Sequence, residues 1–137
     1  MNFLVDSDSV INYLKGDEQA TRQIAELFPQ GIAVSIVSYM EVYEGVYYGN
    51  HQAQNTKVFH RFVRGVQVLG INRSIAQRSA VLRGHLRASK ATKHLAEPRN
   101  HYDLFIAATA LHHHLTLVTH NIKDYERIPN LTIYQTQ

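Results

Sequence analysis

Short apolar runs alternate along this chain with longer stretches in which apolar residues recur every three or four positions. The first pattern marks buried strands and the second amphipathic helices. Phe3-Leu4-Val5 is the first such run, and it stops abruptly at Asp6. Ser7, Asp8 and Ser9 are helix-capping residue types, and Val10, Ile11 and Leu14 follow at helical spacing. A second helix is expected over residues 17–28, ended by Pro29-Gln30-Gly31. Residues 32–37 form the next β-branched run and predict a strand, with Ser38 opening a third helix. A helix over 52–64 and a strand over 66–69 come next. A long amphipathic helix over 73–89 then carries Ile75, Ser79, Leu82 and Leu86 on its inner stripe. A loop at 97–100, a helix from His101, a strand at 115–119, a polar turn at 120–125 and a short strand at 131–134 complete the reading. Strands alternating with helices predict an α/β fold, a mainly parallel sheet of four to five strands with helices on both faces.

Composition agrees with one such domain over residues 1–137. Hydrophobic residues make up 45% and charged residues 18%, which is globular rather than disordered. No cysteine is present, so disulfides and thiolate metal sites are excluded. The N-terminal apolar run is too short for a signal peptide, and residues 104–111 fall far short of a membrane span. A cytoplasmic protein with no membrane association is expected. Net charge is only +3, but half of the fourteen Lys and Arg residues lie from Arg73 to Arg99, against a single acid, Glu97. Such a zone suits a polyanionic partner.

Several residues carry candidate chemistry. Asp6 is expected at the carboxyl end of the first strand, where open α/β sheets bind ligands. Asp6 or Asp8 could equally serve only as a helix cap. Glu41 stands three residues after Ser38, a capping-box spacing that would give it a purely local role. Asp103 shares a helix face with Ala107 and Ala110, so the helix can approach the sheet and aim the carboxylate inward. That placement is costly unless compensated. Asn121 and Asp124 lie in the turn after the fourth strand. Arg83, Arg87, Lys90 and His94 share a stripe that could follow a phosphate backbone or be plain surface charge. Tyr39, Tyr43 and Tyr47, four residues apart, fit core packing, or a second face buried against a subunit or partner peptide. His112-His113-His114 cannot converge on one ion, because successive helical side chains diverge by about 100°.

In a parallel sheet Asp6, Glu41 and the 121–124 turn all follow strand ends on one edge, and Asp103 enters beside them. Carboxylates held that close raise one another's pKa, and a divalent cation relieves the conflict. Oxygen ligands suit Mg²⁺ or Mn²⁺. Four blocks of the sequence resemble those of PIN domains, most closely the VapC-type toxins of bacterial toxin–antitoxin modules. They are Leu4-Val5-Asp6-Ser7-Asp8, the block from Ser38 to Gly45, the block from Asp103 to Ala110, and Leu117-Val118-Thr119-His120-Asn121. The tail from Asp124 to Leu131 extends the likeness. This resemblance implies a Mg²⁺-dependent endoribonuclease, usually a homodimer, held inactive by a cognate antitoxin protein. Asp6, Glu41 and Asp103 match the family's acidic triad as metal ligands and catalytic residues. Ser7, Thr119, Asn121 and Asp124 are expected in support, with Arg83, Arg87 and Lys90 toward the RNA. The frequent fourth acid is an amide here, at Asn121, which leaves either Asn121 or Asp124 to complete the site. Tyr102 stands where a small polar residue is common.

Other readings compete. Asp6-Ser7-Asp8 after a strand also fits a haloacid-dehalogenase-like phosphatase, but the later lysine and acidic pair are poorly supplied by Asn121 and Asp124. A receiver domain needs an acceptor Asp ending the third strand, and Leu69-Gly70-Ile71-Asn72 offers none. A non-catalytic RNA-binding PIN-like module would not need the intact Asp6, Glu41 and Asp103 set.

Overall fold

The computed structural model describes residues 2–135. Its sheet has β1 (Phe3–Val5), β2 (Ile32–Ser35), β3 (Gln67–Leu69) and β4 (Thr116–Val118), in the order β3-β2-β1-β4. All three pairings are parallel, with Leu4 opposite both Ala33 and Leu117, and Ser35 opposite Leu69. Successive strands step outward from β1 to β3, and the chain then returns to β4 on the other side of β1. The central strand therefore ends at a topological switch point, the place where such sheets leave a crevice.

Seven α-helices flank the sheet among the described residues: α1 (Ser7–Leu14), α2 (Glu18–Leu27), α3 (Ile36–Tyr48), α4 (Gln52–Arg64), α5 (Arg73–Arg87), α6 (His101–His113) and α7 (Ile122–Tyr125). Side chains alternate across the strands as the pleat requires. Val5, Val34 and Val118 join Val10, Ile24, Phe59 and Phe62 on one face. Leu4, Ala33, Leu69 and Leu117 join Leu82, Leu86, Leu104 and Ala107 on the other. Gly31, at φ 91°, turns the chain into β2. Its carbonyl accepts the amides of Asn2 and Phe3 at 3.1 and 3.2 Å, which fixes where β1 begins.

Several boundaries differ from the sequence expectation. The strand expected over 32–37 stops at Ser35, whose hydroxyl accepts the Val37 amide at 3.2 Å and caps α3. Ser38 therefore lies inside α3, and the capping box with Glu41 does not form. The strand expected over 131–134 reduces to one parallel bridge, Leu117 with Ile133, flanked by bonds from Leu117 N to Thr132 O and from Tyr134 N to Leu117 O. Pro129 and the left-handed Asn130 (φ 67°) leave too little straight chain for a longer ladder. The polar turn at 120–125 contains a one-turn helix, α7, whose Tyr125 is buried. The loop at 97–100 is a 3-10 turn from Pro98 to Asn100. On α5 the expected inner stripe of Ile75, Ser79, Leu82 and Leu86 is buried.

Tyr39 and Tyr43 stack at 6.1 Å and both pack on Phe59 of α4, at 5.1 and 5.9 Å. Core packing accounts for these two tyrosines, while Tyr47 and Tyr48 remain exposed. Phe59→Ala is expected to cost about 3–5 kcal/mol, seen as a lower urea midpoint with little change in m. Tyr48→Ala, at an 82% exposed position, should change stability by less than about 0.5 kcal/mol.

Candidate active site at the carboxyl edge of the sheet

Asp6 is the residue immediately after β1. Its amide donates to the Val118 carbonyl at 3.1 Å, extending the β1–β4 pairing up to the carboxylate. Its Oδ1 accepts the Ser9 amide at 3.0 Å, so it does cap α1. It is also only 3% exposed, far more buried than a cap requires. Burial pushes its pKa above the ordinary carboxylate value, while hydrogen bonds from the Thr119 hydroxyl and the Ser9 amide pull it back. Asp6 thus serves as a cap and as a buried acid at the switch point. Thr119 itself follows β4, and its hydroxyl oxygen also accepts the Asn121 amide at 3.0 Å.

Glu41 is released for other work by the early start of α3. The Ser7 hydroxyl lies 2.7 Å from Glu41 Oε1 and 2.9 Å from Ser38 Oγ. One hydroxyl carries one proton, so with that proton on the carboxylate Ser38 becomes the donor of the second bond. Ser7 and Ser38 are both buried. Residues from α1 and α3 thereby fix one oxygen of a half-buried glutamate.

Asp103 sits in the first turn of α6, above Ala107 and Ala110, which are fully buried. Its pKa is pushed up to about 6, first by burial and then by the charges of Glu41, Asp124 and Asp6. The Tyr125 hydroxyl, hydrogen-bonded to this carboxylate, opposes the rise. Burial and then the charges of Asp103, Asp6 and Asp124 push the Tyr125 phenol far above its usual range, so it stays a neutral donor. Sequence reasoning placed Tyr125 only in a polar turn. Its signal was a lone large aromatic between Asp124 and Glu126, on a segment too short to show periodicity.

The two candidates after β4 separate. The Asn121 side-chain amide donates to Asp8 Oδ2 at 3.1 Å, on the exposed rim. Asp124 acts electrostatically on Asp103. Carboxylates from α3, α6, α7 and the end of β1 therefore influence one another. Both ion pairs found among the described residues, Arg22 with Glu18 and Arg99 with Glu97, lie elsewhere. Among those residues no three His, Asp or Glu side chains form a closed metal-ligand set. What the site offers is an uncompensated group of hard oxygen donors, chemistry that fits a divalent cation of the Mg²⁺ or Mn²⁺ kind.

Arg83, Arg87 and Lys90, expected on one stripe, do share a groove of about 440 Å³ with Lys93, His94 and Glu97. The Arg83 Nε donates to the Ala96 carbonyl at 2.9 Å, which anchors that guanidinium. The groove runs into the Pro98–Asn100 turn that leads directly to α6 and Asp103. No described helix is long and apolar enough to cross a membrane.

A parallel four-stranded sheet with acids gathered at its carboxyl edge defines a class of small α/β domains. Within that class the chain belongs to the PIN-domain family, whose pattern it matches over residues 3–131. It is 27% identical over 133 residues to the tRNA(fMet)-specific endonuclease VapC of Salmonella typhimurium, covering 97% of this chain and 96% of that protein. Among solved structures, VapBC2 of Rickettsia felis bound to a promoter DNA fragment superposes with a TM-score of 0.84 at 25% identity, over the whole of both chains. A toxin–antitoxin complex from Klebsiella pneumoniae gives 0.73 at 29% identity, over 98% of this chain and 100% of that one.

The raised Asp103 pKa makes the metal-free protein sensitive to pH. The native state keeps a proton that the unfolded chain releases near 3.8, so this group's stabilisation is full below that value and is lost as pH rises through about 6. In EDTA, denaturation free energies of the parent should fall relative to those of Asp103→Asn between about pH 4 and pH 7. Parallel profiles for the two proteins would show that Asp103 titrates normally.

Proposed function

We propose that the protein is a divalent-metal-dependent endoribonuclease that hydrolyses RNA phosphodiester bonds and acts as the toxin of a toxin–antitoxin pair. The observation that carries this reading is the mutual influence of Asp6, Glu41 and Asp103, from three remote segments, at a switch point where no ion pair among the described residues neutralises them. Kinship with a protein named as a tRNA(fMet)-specific endonuclease supports RNA as the substrate. Likeness to a toxin–antitoxin complex supports an antitoxin protein as the partner. Homodimeric assembly in the cytoplasm completes the proposal, in keeping with the VapC-type resemblance.

In this proposal Asp6 and Asp103 hold Mg²⁺, with Mn²⁺ able to substitute, and Glu41 holds it or positions the attacking water. When bound, the ion would supply Lewis-acid stabilisation and a more acidic water for in-line attack at phosphorus. Ser7 orients Glu41 through its 2.7 Å bond. Thr119 and Tyr125 do the same for Asp6 and Asp103, the usual service of groups behind metal-binding carboxylates. Asn121 secures the rim through Asp8, which leaves Asp124 as the supporting acid nearer Asp103. Arg83, Arg87 and Lys90 offer the phosphates beside the scissile bond a fixed and a mobile set of cations.

A phosphatase of the haloacid-dehalogenase kind would use Asp6 as nucleophile. Its position as a capped, 3% exposed side chain suits a fixed ligand better than an attacking group.

Asp103→Asn is expected to abolish Mg²⁺-dependent cleavage of total cellular RNA while circular dichroism stays unchanged; undiminished cleavage would defeat the assignment. The parent chain should also melt higher with Mg²⁺ or Mn²⁺ than in EDTA, by preferential binding to the folded state. Arg87→Ala with Lys90→Ala should raise KM for RNA with kcat nearly constant, because ground-state and transition-state binding are lost together.

A further inference from the structure

One outer face of α4 is cationic and has no role in the site described above. Its inner residues Phe59 and Phe62 are buried, whereas Lys57, His60, Arg61 and Arg64 are all exposed. These four line one groove of about 430 Å³ together with Thr56. Their spacing of three, four and seven places them in a single stripe about 10 Å long. The helix contains no acid, and neither ion pair found among the described residues involves it. The macrodipole favours Arg61 and Arg64 in the last turn but does not extend back to Lys57. Like charges at such spacings repel and weaken a helix slightly, so the stripe is not explained by local stability.

The pattern extends beyond the helix. Between Glu44 and Glu97 the chain carries no acidic residue at all, yet it holds nine of the fourteen Lys and Arg residues. The Arg83–Lys93 groove belongs to the same acid-free stretch but lies on the opposite side of the sheet, because α5 packs with one core cluster and α4 with the other. Between the two helices runs β3, the edge strand. None of the α4 cations is among the charges that act on Asp6 or Asp103, so the stripe stands apart from the crevice.

From this arrangement we propose that the outer face of α4 is a second phosphate-binding surface that grips the body of a folded RNA at a distance from the scissile bond. The inference rests on RNA being the substrate and narrows it to RNAs large enough to engage both sides of the β3 edge. A short strand filling only the crevice beside Asp103 would leave the stripe empty. The groove is lined by Lys57, Arg61, Arg64, His60 and one hydroxyl, with no acid to repel a phosphate, so its main contact is with the nucleic-acid backbone.

The test compares binding of two RNAs to a protein carrying Asp103→Asn, so that nothing is cut, with and without the combined Lys57→Gln, Arg61→Gln and Arg64→Gln changes. One RNA is a folded transcript with several helical arms, and the other is a single-stranded oligonucleotide holding the same cleavage site. The combined variant should bind the folded RNA about tenfold or more weakly at low salt, and the slope of log K against log salt should shrink by about two to three. Its affinity for the oligonucleotide should stay within about twofold, and circular dichroism should be unchanged, as expected for exposed substitutions. An unaltered salt slope with the folded RNA would overturn the proposal, as would an equal loss on the oligonucleotide. Equal loss on a DNA duplex of matching length would also overturn it, by showing a surface for duplex rather than for RNA. The nuclease reading fails separately, if the parent chain with Mg²⁺ leaves both RNAs intact; the binding comparison is readable either way.

Discussion

Repulsion among carboxylates gathered around the buried Asp6 and half-buried Asp103 is the constraint around which this molecule is built. Asp103 feels burial, Glu41, Asp124 and Asp6 together, and among the described residues no basic side chain pairs with any of them. A fold would ordinarily expel or neutralise such a group. Here three structural devices hold it in place. The β1–β4 pairing carries Asp6 to the sheet edge, the Ala107 and Ala110 face brings α6 close, and the early start of α3 turns Glu41 toward Ser7. Each is a local packing decision, and their sum is an electrostatic conflict of the kind a divalent cation relieves.

Hydroxyl groups manage that conflict. Ser7, Thr119 and Tyr125 each place a neutral donor on one acid, which costs far less in a buried setting than an ammonium or guanidinium would. A fixed positive side chain there would satisfy the carboxylates permanently. The cations are instead displaced to the surface, into grooves on α4 and α5 on opposite sides of the sheet. Negative charge is concentrated at the carboxyl edge of the sheet and positive charge is spread over the outer faces of α4 and α5. A separation of charge of that kind attracts polyanions to the cationic grooves.

The edge of the sheet also explains why local and tertiary readings of the same residue can both hold. Asp6 caps α1 and forms part of the acidic cluster, because the residue after a parallel strand is commonly the residue before a helix. Glu41 had a capping-box partner by spacing in Ser38, but Ser35 took the cap three residues earlier. Ile36 and Val37 are β-branched, yet they lie in the helix; packing overrode propensity there.

What the sequence determined by itself was the succession of strands and helices along the chain, the parallel sheet and the inner stripe of α5. All of these follow from periodicity and from abrupt polar residues at the ends of apolar runs, which are properties of neighbours in the chain. Only the tertiary structure decided that Asn121 turns to Asp8 while the charge of Asp124 acts on Asp103, that Tyr125 is a buried donor, and that the last strand shrinks to a bridge. Those outcomes depend on contacts between segments up to 113 residues apart, and no window of sequence contains both partners. The grouping of the acids is of the same kind: residue identity supplies the charges, and only strand order brings them within reach of one another.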